Sequence, residues 1–217
     1  MSKSPSDIHR KTLDWEDSIP YLSYIREHGI QQFLSIYNNV KDIREDNFFW
    51  GEEVEFMVLK VNHEEKTVKL SLRSRDIETK LKQKETSFLD AGGREADGCT
   101  WIPEYGSWMI EATPKIPYAG FTQDLRRVEE NLRMRRARLN GVLEKDEIAP
   151  TICSFPMMGV GDFTFPKYSV NGPNAMSNWV PDECTNPHPR FQTLTKNIRL
   201  RRGEKVDVRI PIFIDKE

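Results

Sequence analysis

The sequence predicts an α+β protein built on a mainly antiparallel sheet with flanking helices. Two observations carry this. Residues 50–61 and 67–72 are apolar, strand-like runs joined by the polar turn Asn62-His63-Glu64-Glu65-Lys66, the pattern of a hairpin with a longer loop. Residues 121–143 carry Phe121, Leu125, Val128, Leu132 and Leu139 as a stripe at helical spacing.

The remaining elements follow in order. Residues 1–12 read as frayed. Residues 13–41 read as helical, with Phe33, Leu34, Tyr37 and Val40 recurring at helical spacing and a break allowed at Gly29. Residues 75–90 suit a charged helix and 91–98 a loop. Trp101–Thr113 reads as a strand-like stretch interrupted by Pro103 and Gly106, followed by a turn-rich link over 114–120. Thr151–Phe155 reads as a short strand, with Cys153 a packed core thiol. Residues 156–190, rich in Pro, Gly and Asn, form a long irregular excursion of the kind that carries function or flexes. Residues 191–202 read as a basic helix, and 206–214 as a strand with aliphatics at even positions. No repeat, low-complexity segment or internal boundary divides the chain, so 1–217 is taken as one unit.

A net charge of -2 gives no general drive toward nucleic acid or a membrane. The arginines crowding 121–143 are mixed with Asp124, Glu129 and Glu130, which fits a salt-bridged face or a subunit contact better than a nucleic-acid face. Three widely spaced cysteines fit free thiols in a reducing compartment; Cys99 and Cys184, placed in loops, are the redox-accessible ones, with nothing nearby to lower their pKa. The first residues lack an apolar signal core, so a cytoplasmic location is expected.

The chemistry concentrates in Trp50-Gly51-Glu52-Glu53-Val54-Glu55-Phe56-Met57. Strand residues two apart share a face, roughly 6.6 Å from each other. Glu53 and Glu55 therefore stand together, with Glu52 on the opposite face, at the end of what reads as a central strand covered on both sides. Ionised carboxylates where a core begins need a partner, and a hard cation such as magnesium or manganese suits oxygen donors. The same pair also fits plain surface acids at the start of a strand. Glu104 and Glu111, seven apart, fall on opposite faces of a regular strand; a bulge or bend near Tyr105-Gly106 brings them to one side. They too can be read as a solvated strand face.

With Pro103-Glu104-Tyr105-Gly106-Ser107-Trp108-Met109-Ile110-Glu111-Ala112-Thr113-Pro114 following that run, the sequence resembles the eukaryotic glutamate–cysteine ligase family, in its catalytic subunit. The resemblance continues through Asn131-Leu132-Arg133-Met134-Arg135-Arg136, Ile152-Cys153-Ser154-Phe155-Pro156, His188-Pro189-Arg190-Phe191 and Asn197-Ile198-Arg199-Leu200-Arg201-Arg202-Gly203-Glu204-Lys205-Val206. It implies a glutamine-synthetase-like fold, a curved sheet forming part of a funnel with helices outside. It implies ligation of cysteine to the γ-carboxylate of glutamate through a γ-glutamyl phosphate, with ATP as co-substrate and Mg (or Mn) as cofactor, in the first step of glutathione synthesis. The implied metal ligands are Glu53, Glu55, Glu104 and Glu111, the last three nearest the substrate glutamate and Glu53 shared with ATP. Arg199, Arg201 and Arg202 are candidate phosphate contacts, though an ordinary basic helix end explains them as well. The expected partners are glutamate, cysteine, ATP and a modifier subunit, without nucleic acid or membrane. Two departures stand out: Gly51-Glu52-Glu53 where the family has Gly-Asp-Glu, and Glu111-Ala112-Thr113-Pro114 where it has Glu-Gly-Thr-Pro. An alanine is strained there if that position needs positive φ. Family catalytic subunits are also much longer, so the chain is expected to be the N-terminal portion of one. The alternative expectation is a truncated, non-catalytic form that acts only by binding or regulating a partner.

Overall fold

The computed structural model describes residues 12–205 together with 207, 209 and 211; the stretches expected to be frayed at 1–12 and to form a strand at 206–214 lie largely outside these. The hairpin forms as its sequence pattern demands. β3 (Leu59–Asn62) and β4 (Thr67–Ser71) pair antiparallel, with Leu59 opposite Leu70 and Asn62 opposite Thr67. Asn62 Oδ1 accepts the N–H groups of Glu64 and Glu65 and so closes the turn.

The run expected as one strand over 50–61 is three. β1 (Phe49–Trp50) pairs with β7 (Tyr118–Ala119), and β2 (Val54–Met57) pairs with β6 (Met109–Pro114), whose other neighbour is β5 (Cys99–Pro103). At Val58 the chain leaves one sheet for another: its N–H donates to the Trp108 carbonyl, while its own carbonyl accepts from Ser71. β3 then lies inside a four-stranded sheet of order β8-β3-β4-β9, with β8 (Glu147–Ile148) and β9 (Thr164–Phe165). The β4–β9 pairing is parallel and every other pairing between these strands is antiparallel. The expectation that the acidic strand is central is corrected. Within β2-β6-β5 the middle strand is β6, and β2 lies at an edge among the described residues.

Strand alternation sorts the side chains of this sheet. Val54 and Phe56 of β2, Ile110 and Ala112 of β6, and Cys99 and Trp101 of β5 all point to one face. There they meet Ile77 and Leu81 of α3 (Ser74–Asp90) and Leu139 of α4 (Thr122–Asn140). A second apolar cluster gathers Met57, Leu59, Leu70, Trp108, Phe163 and Cys184.

α4 docks differently from its apolar stripe. Phe121, which precedes it, is 73% exposed and Leu125 63%, and of the stripe only Leu139 is fully buried. The inward side chains are Asp124, Asn131, Arg135 and Leu139, because the sheet beneath offers carbonyls that need donors: Asn131 donates to Gly98 O and Arg135 to Ala112 O. The arginines divide accordingly, Arg133 pairing with Glu129 in solvent and Arg138 with Glu85 against the core.

The N-terminal helical region comprises α1 (Trp15–Ser18), a 3-10 turn (Ile19–Tyr21) and α2 (Leu22–Val40), continuous through Gly29. No residue of α2 is buried, and Phe33, Leu34, Tyr37 and Val40 are all exposed. The strand expected over 151–155 does not form; Arg136 holds this stretch by donating to Ala149 O and to Thr151 Oγ1. Cys153 is therefore exposed, whereas Cys99 and Cys184 are buried, the reverse of expectation. The excursion before α5 (Pro189–Arg202) is irregular as expected, apart from β9 and a 3-10 turn at Asp182–Cys184.

Candidate metal centre

The four glutamates fall on one sheet face through pairing across strands. β2 sets Glu55 directly opposite Glu111 on β6, and β5 sets Ile102 opposite Glu111 on its other side. Glu53 lies two residues before Glu55, and Glu104 two residues after Ile102, so alternation turns both toward the same face. The bend expected near Tyr105-Gly106 is a full hairpin turn between β5 and β6. Gly106 is needed within it, since a Cβ there falls 2.9 Å from the Trp108 ring.

The electrostatics carry the mark of that crowding. The Glu111 side chain is nearly buried, at 8% exposure. Burial first, then a hydrogen bond with Glu104 and the nearby charges of Glu53, Glu104 and Glu55, push its carboxyl up to about 7. The desolvation arises next door: the adjoining cross-strand pair is Met57 with Met109, part of the cluster around Trp108. Glu104 is oriented by its neighbour, Oε1 accepting the Tyr105 N–H at 2.7 Å.

Glu52 is not part of this group. It faces the other way, where its carboxylate pairs with the fully buried Arg135 guanidinium and accepts from Tyr118 Oη. The change from Asp to Glu at this position leaves the acidic face untouched. Nor does Ala112 carry strain. Its φ is negative, and its Cβ is wholly buried in the core beneath the sheet.

A hard divalent cation fits the chemistry of this donor set: carboxylate oxygens only, with the central carboxyl raised by burial first and then by its acidic neighbours. The spacing is looser than a coordination sphere, since no three carboxylate, imidazole or thiolate groups among the described residues are drawn together closely enough to hold an ion. Beside the face lies an open depression lined by Gly51, Glu52, Glu53, Thr113, Pro114, Lys115 and Pro117.

Of the three candidate phosphate contacts, Arg199 is already engaged, donating from Nε to Ala175 O at 3.1 Å, while Arg201 and Arg202 are exposed at the end of α5. α5 does touch the glutamate turn through other residues. Tyr105 Oη lies 2.7 Å from Thr195 Oγ1 and its ring meets Phe191 edge-on. Sequence reasoning missed this contact; the only signal for it was the aromatic Tyr105 following an acid.

A family model for glutamate-cysteine ligase matches residues 7–217. The chain belongs to the glutamate–cysteine ligase family. It is 44% identical over 209 residues to a glutamate–cysteine ligase catalytic subunit of Homo sapiens, covering 94% of this chain and 32% of that protein. It is 43% identical over 205 residues to a glutamate–cysteine ligase of Dictyostelium discoideum, with 94% and 31% covered. A glutamate–cysteine ligase of Saccharomyces cerevisiae is 35% identical over 219 residues, again covering 94% and 31%. The chain thus spans about a third of the length of these glutamate–cysteine ligases. No helix among the described residues is long and apolar enough to cross a membrane.

Proposed function

We propose that this chain supplies the acidic metal-binding face of an ATP-dependent ligase that joins L-cysteine to the γ-carboxylate of L-glutamate through a γ-glutamyl phosphate, the first step of glutathione synthesis. The observation that carries the reading is the gathering of Glu53, Glu55, Glu104 and Glu111 on one sheet face, with the Glu111 carboxyl pushed up to about 7 by burial first and then by the others. Membership of the glutamate–cysteine ligase family supports it. Residues 1–217 are read as one partial domain, its curved sheet forming part of a glutamine-synthetase-like funnel in a cytoplasmic enzyme.

Glu55, Glu104 and Glu111 would hold one divalent ion, the one serving the substrate glutamate, and Glu53 would serve a second shared with ATP. When bound, magnesium or manganese supplies positive charge that offsets the triphosphate during phosphoryl transfer. The apolar wall of Met57, Met109 and Trp108 excludes water from one side of the face and strengthens every charge interaction on it. Arg201 and Arg202, exposed and without a hydrogen-bond partner among the described residues, would approach phosphate oxygens directly, while Arg199 would first have to leave Ala175. Glutamate, cysteine and ATP are the substrates, and a modifier subunit is a further partner.

The test is γ-glutamylcysteine formation coupled to phosphate release in a polypeptide of the relatives' full length carrying this segment. Glu53→Gln or Glu111→Gln should remove metal-dependent turnover with the fold intact; near-normal rates at saturating magnesium would refute the assignment. A second reading, a non-catalytic form that binds a partner, is favoured by one feature, the exposed apolar side chains of α2. Turnover by this chain alone would overturn that second reading.

A further inference from the structure

The turn that carries Glu104 is held from far along the chain. Asn186, 4% exposed, sits just after the 3-10 turn Asp182–Cys184 and reaches back across 82 residues. Its Nδ2 donates to the Glu104 carbonyl at 2.9 Å, and its backbone N–H donates to the Tyr105 carbonyl at 2.8 Å. One residue thus fixes the carbonyl of the Glu104–Tyr105 peptide unit and the carbonyl of the unit that follows it. The N–H of the Glu104–Tyr105 unit orients the Glu104 carboxylate.

Asn186 is itself fully anchored. Its Oδ1 accepts the His188 N–H at 3.0 Å, and its carbonyl accepts from Gln192 Nε2 at 3.3 Å. Around it the same segment stays in register with the turn: Ser107 N–H donates to Cys184 O, and Gly106 bridges Thr185. The tail of the irregular excursion therefore lies against the hairpin turn much as a short strand would.

We propose that Asn186 is a positioning residue for the acidic face, setting Glu104 against Glu111 through the main chain of residues 104–105. The proposal rests on the metal-binding reading above. It assigns a role to the end of the excursion, whose composition marked it as functional or flexible without saying which. A carboxylate on a hairpin turn has many orientations; two hydrogen bonds to the turn's carbonyls remove most of them before an ion arrives. Asn186 touches neither ion nor substrate and acts only through Glu104.

The experiment is Mn(II) binding to the full 217-residue chain, followed by loss of the six-line EPR signal of the hydrated ion and by the spectrum of the bound ion. Glu111→Gln serves as the control for the reading itself and should abolish binding. Asn186→Ala should weaken binding about tenfold, the effect of one well-placed hydrogen bond, and broaden the bound-ion spectrum. Asn186→Ser keeps the local turn to His188 but cannot reach the Glu104 carbonyl, so it should keep the fold and still weaken Mn(II) binding about tenfold. Asp182→Ala provides the structural comparison: Asp182 caps the N–H groups of Asn174 and Ala175 in the same excursion, and its side chain makes no hydrogen bond to residues 104–105. It should lower thermal stability with Mn(II) affinity unchanged. Wild-type affinity in both Asn186 variants would overturn the proposal, as would equal weakening by Asp182→Ala, which would reduce Asn186 to a folding role. If the unaltered chain leaves the Mn(II) signal untouched, the metal reading fails first and this proposal falls with it.

Discussion

Replacing Glu111 with glutamine should stabilise the metal-free chain at neutral and higher pH. The carboxyl sits at about 7, against an ordinary value of 4.5. Between those values the folded chain keeps a proton that the unfolded chain has released. Its stability therefore falls as pH rises through that window, and the loss is complete above about pH 7. At about 1.4 kcal/mol per pH unit, the full loss comes to about 3 kcal/mol. Glutamine keeps the size of the side chain and never ionises, so the variant escapes this loss. Urea unfolding of both proteins, followed by far-UV circular dichroism, measures it. The two should be nearly equal at about pH 4.5, and the variant should lead by up to about 3 kcal/mol at about pH 8. Magnesium at a thousandfold excess over Kd should then reverse the order, since binding to the folded state alone adds about 4.1 kcal/mol there, and only the wild-type chain should gain it. A stability gap that stays constant with pH would refute the reasoning, because it would mean Glu111 is not held protonated by burial and its neighbours.

Three further outcomes are expected. Arg135→Met strands the Glu52 carboxylate beside a fully buried position and should cost about 3–5 kcal/mol in urea unfolding; adding Glu52→Gln should recover at least half of it. Treating the folded chain with a thiol reagent at about pH 8 should label Cys153 alone, since burial above all pushes both the Cys99 and Cys184 thiols up to about 12; mass spectrometry of the labelled peptides checks this. Phe33→Ser and Tyr37→Ser should each shift stability by less than about 0.5 kcal/mol, because these side chains are 67% and 52% exposed; a larger cost would show α2 packed in solution.

Local pattern was a good guide wherever one element's chemistry was enough. The hairpin over 59–71 follows from its alternation and its Asn-initiated turn, α3 from its charged helical sequence, and the shared face of Glu53 and Glu55 from the two-residue period. It misled where a partner decided. The stripe Phe121, Leu125, Leu139 marks α4 as a helix, yet of these only Leu139 packs, beside Asp124, Asn131 and Arg135, because the carbonyls that Asn131 and Arg135 meet lie outside the helix. Cys153 sits in an apolar run and was expected in the core, but with no strand to pair against, that run stays at the surface.

The acidic face divides the same way. Sequence by itself determined which residues carry the charge, that Glu52 points away from Glu53 and Glu55, and, through ordered motifs, which family they belong to. Only the tertiary structure decided that Glu111, on the middle strand, stands between Glu55 and the Glu104 side of the hairpin, and that Asn186 holds that turn in place. The reason is physical: alternation along a strand is fixed by backbone geometry alone, whereas register between strands and the reach of a side chain across 82 residues exist only once the chain has closed on itself.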